Sequence, residues 1–168
     1  MSRTAEPRAE AESPSVARVR AEAARLGLAV APVRLADSTR TAEQAAAACG
    51  CGVDQIVKSI VFRVADGVRH VLFLTAGGNR VDPAKAGALA GAGLEKADAA
   101  GVRAHTGFAI GGVAPIGHLT PIDAWLDPKL LTYDVIWAAG GTPNHVFAVA
   151  PQALVAATGA TVADFTAA

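Results

Sequence analysis

Ile56-Val57-Lys58-Ser59-Ile60-Val61-Phe62-Arg63-Val64 and Val68-Arg69-His70-Val71-Leu72-Phe73-Leu74-Thr75 are separated by Ala65-Asp66-Gly67. β-branched and aromatic residues dominate both runs, and Asp-Gly between them is a hairpin turn signal. The pair predicts an antiparallel hairpin at the heart of the fold. Side chains alternate along a strand, so Ile56, Lys58, Ile60, Phe62 and Val64 share one face. Apart from Lys58 that face is apolar, which predicts that it packs inward and takes Lys58 with it. An ammonium so placed must pair, snorkel out at the sheet's end, or meet an anionic ligand. Snorkelling is the commoner outcome, but no other lysine precedes Lys85, and Lys58 stands where a pocket mouth is expected. It is therefore a candidate partner for a phosphate or carboxylate.

Helices and further strands surround the hairpin. Residues 1–14, polar and bearing Pro7 and Pro14, read as a flexible tail before a domain spanning 15–168. Val16, Val19, Ala23 and Leu26 recur at helical spacing after a Ser15 cap, and Gly27 ends that helix. Val30 to Leu35 reads as a short strand. Thr41 caps an Ala-rich helix closed by Gly50, Asp82-Pro83 opens another, and a third runs from Asp98 to about His105. Strands are expected at Ile122 to Leu126, Tyr133 to Ala138 and His145 to Ala150, then a helix from Pro151 to about Thr158. There is no regular βαβ alternation and no repeat. The expectation is an α/β fold with a single mixed, largely antiparallel sheet surrounded by helices. After Asp134 only Asp164 carries a formal charge, which places the C-terminal strands in the middle of the sheet. The alternative is a helix at Pro151 to Thr158 that faces a partner.

Composition removes several function classes. The chain has 168 residues, enough for one core, and at 52% hydrophobic and 18% charged it is not a disordered polyelectrolyte. Fifteen basic residues balance fifteen acidic ones, which argues against non-specific coating of nucleic acid. Aromatics at 5% argue against a base-stacking surface built from many rings. Cys49 and Cys51, separated by Gly50, lack the companions a zinc site requires and suit a reduced compartment. No segment has the apolar length of a membrane span and no signal peptide is evident, so a cytoplasmic protein is expected.

The second candidate for chemistry is Thr106-Gly107-Phe108-Ala109-Ile110-Gly111-Gly112-Val113-Ala114-Pro115-Ile116-Gly117-His118. Glycines there let backbone approach a ligand and present N–H groups where negative charge develops, as on a carbonyl oxygen under attack. Taken alone, the segment reads as a tight loop crossing. It is neither a P-loop nor a dinucleotide fingerprint. Of the four histidines, His118 has the best functional case, His70 reads as structural, and His105 sits at a helix end. His145 follows Gly140-Gly141-Thr142-Pro143-Asn144, a loop that could face the first across a cleft. No nucleophile elbow or Cys–His pair is present, so hydrolysis would use positioned water. No metal or cofactor is expected.

Val57-Lys58-Ser59-Ile60-Val61-Phe62 together with Thr106 to Gly117 resemble the YbaK-type, prolyl-tRNA synthetase-associated editing domain family, over roughly Val30 to Ala157. The resemblance implies a mixed sheet with helices around it. The implied activity is aminoacyl-tRNA deacylation, the removal of a wrong amino acid from the terminal adenosine of tRNA. It places Lys58, Gly111 and Gly112 in catalysis, with Lys58 near the terminal adenosine and its phosphate. It places Pro115, as part of a Gly-x-x-x-Pro element, at the amino-acid pocket; Ile60 and Phe108 are assigned to substrate binding. His118 lies just past the element and is assigned to substrate binding as conjecture. Implied partners are the 3′ end of an aminoacyl-tRNA, with misacylated tRNA for proline foremost, and an aminoacyl-tRNA synthetase. The alternative is a non-catalytic module binding aminoacyl-adenosine, tRNA or a synthetase. The chain departs from relatives with a basic stretch after the glycine motif, having His118-Leu119-Thr120-Pro121 there. It also lacks the His-Pro-Leu that some carry near Gly140.

Overall fold

The computed structural model describes residues 12–36, 39–65 and 67–168. Most of the expected tail, residues 1–11, and Asp66 of the expected turn lie outside the described residues. The elements are α1 (Pro14–Arg25), β1 (Val33–Arg34), α2 (Ala42–Cys49), β2 (Val57–Val64), β3 (His70–Ala76) and α3 (Pro83–Ala90). They continue with β4 (Leu94–Lys96), α4 (Ala99–Thr106), β5 (Asp123–Leu126), β6 (Ile136–Ala139), β7 (His145–Val149), α5 (Pro151–Thr158) and β8 (Thr161–Val162).

Caps fix the helix ends. The Thr41 hydroxyl accepts from Gln44 N–H while the Gln44 side chain accepts from Thr41 N–H, a reciprocal box that starts α2. Asp82 and Asp98 cap α3 and α4 through their carboxylates. The first helix begins one residue before Ser15: Pro14 occupies its first turn, where a missing N–H costs nothing, and no side chain caps it.

The hairpin forms as expected, with β2 antiparallel to β3 from Val57–Ala76 to Arg63–His70. β4 joins the other side of β2 antiparallel, but only along Phe62–Val64. Beyond β3, β5 and then β8 add in parallel, giving a mixed five-stranded sheet ordered β4-β2-β3-β5-β8. The sheet expected to be single is divided. β1, β7 and β6 form a separate antiparallel three-stranded sheet, which meets the first through one bridge between Ile56 and Trp137. The C-terminal strands are therefore not all central: β7 is the middle strand of its sheet, and β6 and β8 are edges. Their lack of charge follows from burial of Ile136, Ala138, Phe147, Val149 and Leu154 instead.

Both faces of the hairpin are covered. Val57, Val61, Leu72 and Leu74 join the main core with Phe108, Leu126, Phe147 and Leu154. Ile60, Phe62, Val64, Val71 and Phe73 form a smaller core closed by Trp125 and Phe165. In it Phe73 stacks on Trp125 at 5.0 Å between ring centroids and meets the Phe165 edge at 4.8 Å. The face carrying Lys58 thus packs inward as expected, but on the lesser core. Every residue of β3 is buried, as a central strand covered on two sides requires.

A cavity between the two sheets

Because β4 covers only the far end of β2, the near end, Val57 to Val61, has no strand beside it on that edge among the described residues. The second sheet diverges there after the Ile56–Trp137 bridge. The notch becomes a cavity of about 680 Å³, well within the size of small-ligand sites. Val57, Lys58, Ser59 and Ile60 of β2 line it, as do Trp137 and Val146 of the second sheet. Ile110, Gly111 and Val113 of the glycine loop close a further side, and Thr39, Arg40 and Thr41 stand at the start of α2.

Lys58 is half-buried, and its Nζ donates to the Asn79 carbonyl at 2.5 Å. Burial pushes its pKa below the usual lysine value and Arg80 pushes it further, while Glu43, Asp54 and Asp127 oppose the shift. Behind it lies an anchored loop. Asp127, only 2% exposed, accepts from Ala76 N–H at 3.1 Å, Asn79 Nδ2 at 2.8 Å and Lys129 N–H at 2.9 Å. The buried carboxylate fixes Asn79, and the Asn79 carbonyl fixes the ammonium. This network was not legible in sequence, since Asp127 and Lys58 belong to distant segments that only the parallel β3–β5 pairing brings together.

The glycine loop does two things along its length. Gly111 adopts φ +85°, a conformation that favours glycine, and faces the cavity. Gly112 lies behind it for a spatial reason: a Cβ there would sit 2.7–2.8 Å from the backbone of Thr142 and Pro143. The two loops expected to face one another across a cleft therefore pack directly together. The Gly112 N–H donates to the Ala109 carbonyl at 2.9 Å, so this amide is occupied and is not a free oxyanion donor. The amides of Gly111 and Val113 have no hydrogen-bond partner among the described residues, and both residues line the cavity.

Of the residues assigned to the site, Lys58, Ile60 and Gly111 come together. Phe108, Pro115 and His118 do not join them. Phe108 is fully buried in the main core, with the Arg18 guanidinium 4.5 Å above its ring. Pro115 and His118 line a second recess of about 440 Å³ beside Arg18, Glu22 and Arg25 of α1. His118 Nε2–H donates to the Ala114 carbonyl at 2.7 Å, and burial pushes its pKa down, so the ring is neutral and held. For His118 the physical reason is Gly117, left-handed at φ +83° and set against the Arg18–Val19 backbone of α1. Trp137 and Val146 were missed as lining residues. Only the pairing of β6 with β7 places them on one face, although a lone Trp in a strand of small residues is a signal that could have drawn attention.

His145 lines the cavity, and its Nδ1 is 2.5 Å from the Thr142 hydroxyl. His70 is buried, its Nδ1–H donating to the Val68 carbonyl at 2.7 Å, and its ring lies 4.8 Å from that of His105. The Cys49 and Cys51 thiols are free, and burial raises both pKa values away from thiolate reactivity. Among the described residues no three His, Cys, Asp or Glu side chains converge to hold a metal ion, and no helix is long and apolar enough to cross a membrane.

A mixed and an antiparallel sheet with a lysine in the notch between them define an α/β domain with a lysine-bearing cavity between its sheets. Its family follows from comparison with known proteins. Residues 36–157 match the model of the aminoacyl-tRNA editing domain, and the chain belongs to that family. The chain is 48% identical to a protein solved as a candidate trans-editing enzyme for prolyl-tRNA synthetase. That match has a TM-score of 0.88 and covers 94% of this chain and 100% of the other. Hypothetical protein APE2540, also solved, is 30% identical with a TM-score of 0.81, over 89% of this chain and 99% of its own. An uncharacterized protein of Bacillus subtilis (strain 168), YwhH, is 31% identical over 117 residues, 70% of this chain and 74% of its own. The resemblance carried by the Lys58 and glycine-loop motifs thus extends to most of the chain.

Proposed function

We propose that this chain is a trans-editing hydrolase that deacylates mischarged aminoacyl-tRNA, with misacylated tRNA for proline as the first substrate to test. The observation that carries the reading is the half-buried Lys58 ammonium in an apolar cavity beside the unpartnered amides of Gly111 and Val113. The family membership and the neighbour named as a candidate trans-editing enzyme for prolyl-tRNA synthetase support it.

The reaction needs little covalent help. Water adds to the ester carbonyl carbon, the carbonyl oxygen gains negative charge, and the carbon–oxygen bond to the ribose breaks. The ribose oxygen leaves with a proton and the amino acid departs as its acid. The chain's part is to hold the ester and offset the developing charge. Amides of the glycine loop suit the carbonyl oxygen, and Lys58 suits either that charge or the terminal phosphate. Pocket dimensions would select among small amino acids, where a synthetase discriminates poorly. The partners are the aminoacyl-tRNA 3′ end and a synthetase that delivers it. A cytoplasmic setting matches that substrate.

The test is a deacylation panel of several mischarged tRNAs with the purified full chain. Lys58→Ala is expected to lower kcat/KM by roughly 100- to 1,000-fold, the scale of losing one charge-stabilising donor, with circular dichroism and Tm maintained. Binding of an aminoacyl-tRNA without any turnover would instead identify a recognition module. An unchanged rate in Lys58→Ala would remove the lysine from the mechanism.

A further inference from the structure

Trp137 stands apart from its surroundings. On β6 its neighbours Ile136 and Ala138 are buried in the main core, so alternation turns the Trp137 side chain to the opposite face, and Trp137, Ala138 and Ala139 all line the cavity. Ala148 lies directly across on β7, Val146 is the diagonal neighbour, and Ala139 follows on the same strand. These side chains are short beside the indole. Its N–H has no hydrogen-bond partner among the described residues and is not sealed inside the protein. A large, partly exposed ring with an unused donor is a poor choice for filling space and a good one for receiving a flat ligand.

We propose that the Trp137 indole is the platform on which the adenine of the terminal nucleotide stacks. The inference rests on the deacylase reading and deepens it by naming a residue that reads the nucleoside, not the amino acid. Three observations favour this occupant. The cavity of about 680 Å³ is larger than a small amino acid fills and has room for a nucleoside as well. Trp137 is bridged to Ile56 at the start of β2, two residues before Lys58, so the ring and the ammonium line adjacent walls. The exposed Arg40 also lines the cavity and could meet the 5′ phosphate that precedes the terminal nucleoside. A stacked base, a phosphate at a cation and an ester at the glycine amides then share one recess.

The chain has two tryptophans, which makes the test direct. Trp125 belongs to the smaller core and does not line the cavity, so in a Trp125→Phe chain the emission reports Trp137. Titration with 3′-alanylamino-3′-deoxyadenosine, a non-hydrolysable mimic, is expected to quench that emission saturably, with AMP quenching more weakly. If Trp125→Phe fails to fold, wild-type protein carrying 5-fluorotryptophan gives two fluorine resonances, and the one lost in Trp137→Phe should shift with the mimic. Trp137→Ala is expected to raise KM by roughly tenfold or more through lost stacking, with a smaller change in kcat, and Trp137→Phe should restore most of the affinity. The proposal is overturned if the mimic inhibits deacylation while the Trp137 signal stays still, or if Trp137→Ala leaves KM unchanged. Absence of turnover in the wild type would sink the deacylase reading alone. Then the spectroscopic titration still decides: a saturable Trp137 response upholds the platform, and silence removes it.

Discussion

The cavity beneath Lys58 and the recess beneath His118 are fed by the same glycine-rich segment, yet they are built on opposite principles. In the first, Lys58 is the only charged side chain on the strand wall among the described residues, and Gly111 and Val113, whose amides are unpaired among them, also line the cavity. In the second, polar groups are consumed. Arg18 Nε–H donates to the Gly117 carbonyl at 2.7 Å, Glu22 and Arg25 pair with each other, and His118 is tied to Ala114. One recess keeps its hydrogen-bonding capacity in reserve, and the other spends it on fixing α1 to the loop. Concavity alone does not mark a site; unsatisfied donors beside apolar walls do.

Breaking the support of the first cavity should give the largest effect. Asp127→Ala strips three N–H donors of their buried acceptor and is expected to cost roughly 2–4 kcal/mol, read from the urea midpoint at constant m-value. A loss below 0.5 kcal/mol, on the order of a surface change, would show that Asp127 does not hold the loop that anchors Lys58.

Gly112→Ala tests the crossing shared by both recesses. Its Cβ would overlap the Thr142–Pro143 backbone, so a destabilisation of about 1–3 kcal/mol is expected, together with reduced deacylation. Gly27→Ala is a contrast, since a Cβ there meets nothing and only the positive φ is strained. Gly112 itself has no positive φ, so a negligible loss in Gly112→Ala would mean that the opposing loop yields and that contact with it does not fix the glycine.

The titration of Lys58 sharpens the comparison further. Burial favours loss of its proton, so the ammonium should disappear on raising pH below the usual 10.5. An alkaline limb in kcat/KM is expected below that value, and Lys58→Arg should shift it upward or abolish it. The same limb in both proteins would assign it to another group.

His118→Gln should change the least. We expect deacylation within about twofold of wild type, and roughly 1 kcal/mol of stability lost with the Ala114 hydrogen bond. Its ring is held neutral, with a pKa below the ordinary 6.5, so the unfolded chain takes the proton first as pH falls. The stabilising share of His118 is complete above 6.5 and is lost as pH drops toward the folded value. Urea midpoints should therefore fall less steeply with acidification in His118→Gln than in wild type. A selective loss of kcat in this variant would give His118 a part in the proposed reaction.

Local chemistry made much of the molecule readable from its residues. The hairpin, the Thr41 and Asp98 caps and the helix from Pro151 to Thr158 follow from alternation, hydrogen-bonding side chains and proline, all of which act within a few residues. The short β4 and β8 were not anticipated, because two or three residues carry too little pattern to distinguish a strand from a loop. Lys58, Ile60 and Gly111 could be singled out in sequence because an inward lysine and a flexible loop are visible one position at a time. Their convergence could not.

The sequence by itself determined that a hairpin would form with its lysine directed inward and that a glycine loop would follow at a distance. Tertiary structure alone decided that the sheet splits after Ile56, that Gly111 and His118 line different recesses, and that Trp137 and Lys58 line one notch. The physical reason is range. Strand alternation and capping are short-range, whereas a cavity is the place where distant strands stop pairing, and that depends on how every other surface has been buried.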